Sequence, residues 1–154
     1  MQRFAAAAGF VVLVALPLAG SGQNFAPAKG GDALRYRQSS MFMMSQHMGQ
    51  LAAMVKGDKP WDNAVFVHNA ELVEMFSQMP WDSFWVAGSD QGKNRMKPEI
   101  FKEKDQFLGD AKRLQDETAK LVSVAKTGDQ SAAKTQFGAV GKACKTCHDS
   151  YRQE

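Results

Sequence analysis

Four times along this chain, apolar residues return at alternating steps of three and four, the spacing that lines one face of a helix. No stretch convincingly alternates apolar and polar residues as a half-buried strand would. The first run, 32–56, carries Leu34, Met41, Met44, Met48, Leu51 and Val55. Gly30-Gly31-Asp32 supplies a flexible lead and an N-cap, and Gly57 follows the last apolar position as a left-handed stop should. The second run, 62–79, carries Val65, His68, Leu72, Met75 and Met79 and ends at Pro80. The third opens at Pro98-Glu99, where proline is tolerated and an acid complements the helix dipole. It continues through Ile100, Lys104, Phe107, Ala111, Leu114, Thr118, Leu121 and Ala125 to Gly128, which makes it the longest of the four. The fourth, capped by Asp129 or Ser131, carries Ala133, Phe137, Val140, Cys144, Cys147 and Tyr151. Between the second and third, MPWDSFWVAGSDQGKNRMKP shows no helical period, and connections that long usually serve a function. The pattern predicts an all-α protein, an antiparallel four-helix bundle.

A length of 154 residues, 44% of them hydrophobic, suits one such domain. The first 22 residues stand apart from it. Arg3 precedes an uncharged apolar stretch from Phe4 to Leu18, followed by small residues from Ala19 to Gly22. This is the layout of a secretory signal peptide over 1–22, with Gln23 as the mature N-terminus, a bundle over 23–154 and a periplasmic destination. The apolar stretch is shorter than the roughly 20 residues that span a bilayer, and Pro17 breaks it, so no membrane association is expected after cleavage. The formal charge is +3 without any run of Lys or Arg, which argues against nucleic acid as a partner.

The two cysteines carry the chemistry. A disulfide across so short a loop would add little stability to a domain of this size. Cys144-Lys145-Thr146-Cys147-His148 instead has the C-x-x-C-H form of c-type haem attachment. Residues three apart share a helix face, so both thiols can reach the two vinyl groups on one edge of a porphyrin while the adjacent imidazole turns to the iron. A redox dithiol normally opens a helix, where the dipole lowers the thiol pKa, whereas this pair lies near a helix end. A structural zinc site would need His47 and His68 as further ligands, and their spacing is not paired. On the same helix Gly141 precedes Cys144 by one turn, allowing close backbone approach to a porphyrin, and Arg152 follows His148 by four, a cation on the proximal side. On the first helix Arg37, Met41 and Met44 share a face.

Tyr36-Arg37-Gln38-Ser39, Met41 and Met44, Pro80-Trp81 with Phe84, Lys97-Pro98-Glu99, and Cys144-Lys145-Thr146-Cys147-His148-Asp149 with Tyr151-Arg152 together resemble the cytochrome c′ family of class II c-type cytochromes. The resemblance spans essentially the whole mature chain. It implies one covalently bound haem c per chain, with five-coordinate, high-spin iron held by His148. It gives the cover of the vacant sixth position to Met41 with Phe84 beside it, the propionates to Arg37 and Gln38, the proximal side to Arg152, and the haem edge to Arg95 in the long loop. It also implies a homodimer through the first two helices. Many relatives place leucine over the iron, and methionine ligates in the low-spin branch of the same bundle family, so Met41 is either cover or ligand. The match around it favours the cover.

The expected function is therefore binding of small gases, nitric oxide or carbon monoxide, with sequestration of nitric oxide as the purpose that the resemblance implies. A family mechanism would displace His148 and leave nitric oxide on the proximal face beside Arg152. An apolar distal pocket holds water and anions poorly and admits neutral diatomics. The alternative is a six-coordinate electron carrier with Met41 or Met44 as sixth ligand, which requires an external redox partner. An enzyme is not expected, since no acid–base pair or substrate-pocket signature accompanies the haem motif, and His47 and His68 read as surface or interface residues.

Overall fold

A computed structural model describes residues 26–154, so the expected signal peptide lies outside the described residues. Five helices follow in order: α1 Gly30–Lys56, α2 Asn63–Ser77, α3 Glu99–Lys102, α4 Lys104–Lys126 and α5 Gln130–Tyr151, with a 3-10 turn, Trp81–Trp85, in the long connection. The stop and start signals act as local chemistry dictates. Gly57 and Gly128 take φ values of 87° and 80°, open to glycine without steric cost, and turn the chain back on itself. Asp62 and Asp129 cap α2 and α5, accepting from the backbone N–H groups of Val65 at 3.1 Å and Ala132 at 3.0 Å.

The apolar faces then close on one another. α1 packs on α2, α2 on α4 and α4 on α5, which is the antiparallel four-helix bundle. Leu51, Phe66, Val73, Leu121 and Val140 are fully buried at its centre, each contributing about 1.5–3 kcal/mol of transfer free energy. Among the described residues, no helix is long and apolar enough to cross a membrane.

Four details depart from the pattern read in the sequence. Asp32 does not cap α1: the helix starts two residues earlier at Gly30, and Asp32 lies in its first turn, where its charge complements the dipole. The buried face of α2 is Phe66, Asn69, Ala70, Val73 and Ser77, offset by one residue from the expected stripe, and Val65 and Met75 are 46% and 49% exposed. The third run is broken at Glu103 (φ −117°, ψ 39°), so α1, with 27 residues, is the longest helix. The break lets Glu103 accept the Tyr151 hydroxyl at 3.0 Å, tying α5 to the start of α4. Finally, the long connection is not without helix, since Pro80 leads into the 3-10 turn that buries Trp81 and Phe84.

The early start of α1 has a steric consequence. A Cβ on Gly30 would lie 2.4 Å from the carbonyl carbon of Gly88, so the helix start and the long loop touch backbone to backbone. Gly30→Ala is expected to cost about 1–3 kcal/mol by forcing this contact apart, read as a lower urea midpoint at unchanged slope.

Candidate functional site

The ring of helices is not closed. Between α1 and α5 direct packing gives way to a cavity of about 580 Å³, within the range of roughly 300–1,000 Å³ usual for small-molecule and cofactor sites. α1 contributes Leu34, Arg37, Gln38, Met41, Met44 and Met48. The 3-10 turn adds Trp81 and Phe84, and α4 adds Phe107, Asp110 and Leu114. Across from α1, α5 presents Gly141, Cys144, Cys147, His148 and Tyr151, followed by Arg152. Every site residue expected from the sequence (Arg37, Gln38, Met41, Phe84, Arg95, Cys144, Cys147, His148 and Arg152) lines this one space. The structure brings neither His47 nor His68 to it. His68 is exposed, and His47 pairs through Nδ1 with Asn69 Oδ1 at 2.9 Å between α1 and α2.

Sequence reasoning missed several lining residues. Met96 and Asn94 come from the aperiodic loop and carried no signal. Asp110 did carry one: it lies three after Phe107 and four before Leu114, an acid beside the apolar stripe.

The long loop is tied down on both sides of the cavity. Arg37 is buried and donates from Nη1 to Ser83 O at 3.3 Å and from Nη2 to Ser89 O at 2.6 Å, with its guanidinium 4.8 Å from the Phe84 ring centroid. Burial pushes its pKa down, with Asp90 opposing. Gln38 donates to Lys93 O at 3.0 Å. At the other end the loop pairs with the tail of α5, through an antiparallel bridge between Met96 and Arg152. Lys97 N donates to Tyr151 O at 3.0 Å, Gln153 N to Arg95 O at 2.7 Å, and Arg95 Nε to Gln153 O at 2.9 Å. These bonds hold Arg95 and Arg152 at the edge of the cavity, beside His148.

Proton affinities on α5 separate the rival chemistries. Both cysteines are free. Burial raises the Cys144 thiol, and burial, then Asp110, then Cys144 push Cys147 up to about 12. Thiols held protonated at neutral pH are the reverse of the depressed thiols that dithiol redox chemistry uses. Among the described residues no group of three or more His, Cys, Asp or Glu could hold a metal ion, which disfavours the zinc reading. His148 is pushed below the usual histidine value, chiefly by burial, then by Arg152 and Arg95 against Asp149. Its imidazole is thus neutral at pH 7, the form that ligates iron. The residues present fit a c-type haem: two thiols one turn apart on a cavity wall, a neutral imidazole next to them, apolar side chains opposite, and arginines at the rim.

Known proteins are similar to this chain in sequence and in fold. The family profile described as cytochrome C′ matches residues 32–152. Cytochrome c′ of Alcaligenes xylosoxydans xylosoxydans is 38% identical over 127 residues, 82% of this chain and 98% of that one. Among solved structures, cytochrome c prime from Shewanella frigidimarina superposes with a TM-score of 0.78 at 37% identity, covering 82% of this chain and 98% of that one. A nitric oxide complex of a point mutant of cytochrome c prime from Alcaligenes xylosoxidans superposes with a TM-score of 0.75 at 37% identity, with the same coverage. Matched by that profile over most of its length, and carrying the haem-attachment pattern on the last helix of the bundle, the chain belongs to the cytochrome c′ family.

Proposed function

We propose that the mature chain, 23–154, is a periplasmic haem c protein that binds nitric oxide and carbon monoxide at five-coordinate, high-spin iron and is not an enzyme. The observation that carries this reading is the cavity that separates α1 from α5, with Cys144, Cys147 and His148 on one wall and Met41, Met44 and Phe84 among the residues facing it. Cys144 and Cys147 would hold one haem through thioether bonds, and His148 would be its axial ligand. The haem, when bound, supplies the iron on which a diatomic gas binds.

The remaining steps belong to the chain. Met41 and Phe84 line the cavity with apolar atoms and would cover the sixth position, so a neutral diatomic would lose little on entering while water and anions would forfeit their hydration. Arg37 keeps its positive charge, with two of its donors engaged by the backbone carbonyls of Ser83 and Ser89. Arg95 and Arg152 would neutralise propionates and Gln38 would donate a hydrogen bond to one, and Arg152 also lies next to His148. The nitric oxide complexes of the Alcaligenes relative support the choice of gas. A homodimer through α1 and α2 is supported by Phe42 and Met43 on α1 and Val65 and Met75 on α2, all large apolar side chains left exposed.

A second reading has its own observation, since Met41, Met44 and Met48 bring three thioethers to the cavity. A ligating methionine would make the protein a low-spin electron carrier. The absorption spectrum of the ferrous protein at neutral pH, before and after carbon monoxide, decides between them. A broad high-spin band that sharpens with the gas is the expected result. Split, narrow bands that the gas leaves unchanged would mean that methionine holds the iron.

A further inference from the structure

Asp110 sits on α4, one turn after Phe107 and one turn before Leu114, and lines the cavity with them. It is only 9% exposed, and among the described residues no hydrogen bond or ion pair reaches its carboxylate. The cations nearby are otherwise placed: Arg37 donates to Ser83 and Ser89, and Arg95 donates to Gln153. Tyr151, on the facing wall, turns its hydroxyl to Glu103 at 3.0 Å. The negative field of Asp110 nevertheless reaches that wall, raising the proton affinity of both Cys147 and Tyr151. Asp110 and Cys147, where the haem would attach, line the same cavity.

We infer that Asp110 is a potential-setting residue, whose carboxylate in the wall of the haem cavity stabilises ferric over ferrous iron. The inference rests on the haem reading above. Ferric haem carries one more positive charge than ferrous haem, and a fixed negative charge in a low-dielectric interior favours the more positive state. Reduction takes one electron from the electrode and neither forms nor breaks a bond.

The midpoint potentials of the haem-loaded wild type, Asp110→Asn, Asp110→Leu and Asp110→Glu at pH 7 test this. At fixed applied potential, Asp110→Asn is expected to shift the ferrous-to-ferric ratio about tenfold toward ferrous, which is about 59 mV for a one-electron couple. Asp110→Leu moves it the same way and stands in should the asparagine variant fail to fold, while Asp110→Glu keeps the charge and stays near the wild type. An unmoved potential in Asp110→Asn, or equal shifts in Asp110→Asn and Asp110→Glu, overturns the inference, because packing rather than charge would then set the value. Haem per chain, from the pyridine haemochrome band, is read on the same samples. A wild type without haem overturns the haem reading and this one together, whereas a loaded chain with an unmoved potential overturns only the role of Asp110.

Discussion

A chain carrying both Cys144→Ala and Cys147→Ala is expected to release essentially all of its haem into acidified organic solvent, while the native protein retains it in the protein phase. Either single variant keeps one thioether and so keeps its haem. The proposed attachment is covalent, and both of the chain's sulfhydryls lie on the cavity wall with His148. The effect reaches the fold as well. The cavity between α1 and α5 is lined by Met41, Met44, Phe84 and Leu114, apolar side chains that a bound haem would cover and that water would otherwise meet. A haem-free chain therefore has little to hold α1 and α5 at their native separation. The double variant should keep its far-ultraviolet helical signal and lose near-ultraviolet fine structure, with surface that binds a hydrophobic dye. Haem retained through solvent extraction would sink the attachment scheme. Native near-ultraviolet structure without haem would show that the cavity stands by itself.

That the haem-bearing wall was legible from the sequence follows from its being local. Cys144, Cys147 and His148 lie within five residues of one helix, and the helix follows from spacing alone. The same arithmetic placed Met41 and Met44 on one face of α1 and Phe107, Leu114 and Leu121 on one face of α4. It slipped on α2, where Val65 and Phe66 are both apolar and either can start the count. The true core face there includes Asn69 and Ser77, whose polar atoms are satisfied by His47 and Thr118, partners on other helices that no local pattern shows. Glu103 breaks a helix without glycine or proline, and Tyr151, which takes its carboxylate, lies 48 residues away in sequence. The resemblance gives Arg37 to a propionate, and the structure adds two partners that no local pattern shows, the backbone carbonyls of Ser83 and Ser89 in a loop without period. Periodicity shows which face a residue occupies, while tertiary contacts decide what it touches there.

Phe107→Ala is expected to remove about 3–5 kcal/mol of stability, the range for truncating a buried phenylalanine and a large share of what a domain has. Phe107 is 2% exposed and joins the 3-10 turn to α5. Its ring meets Trp81 at a centroid distance of 5.7 Å, Phe84 at 4.9 Å and Trp85 at 6.1 Å from the 3-10 turn, and Tyr151 at 5.3 Å from α5, all edge to face. Such pairs add about 0.5–1.5 kcal/mol each beyond area burial, so the loss should fall at the upper end of the range. Because Phe84 also carries the Arg37 guanidinium on its face, losing Phe107 frees the ring that helps to anchor the loop over the cavity. The urea midpoint of the haem-loaded ferric protein, compared at constant slope, measures the cost. Phe107→Leu keeps most of the volume but none of the edge-to-face geometry, and should fall well short of the alanine variant. A loss under about 1 kcal/mol in Phe107→Ala would mean that the bound haem and the α4–α5 contact hold the loop without it, and that the aromatic cluster merely fills space.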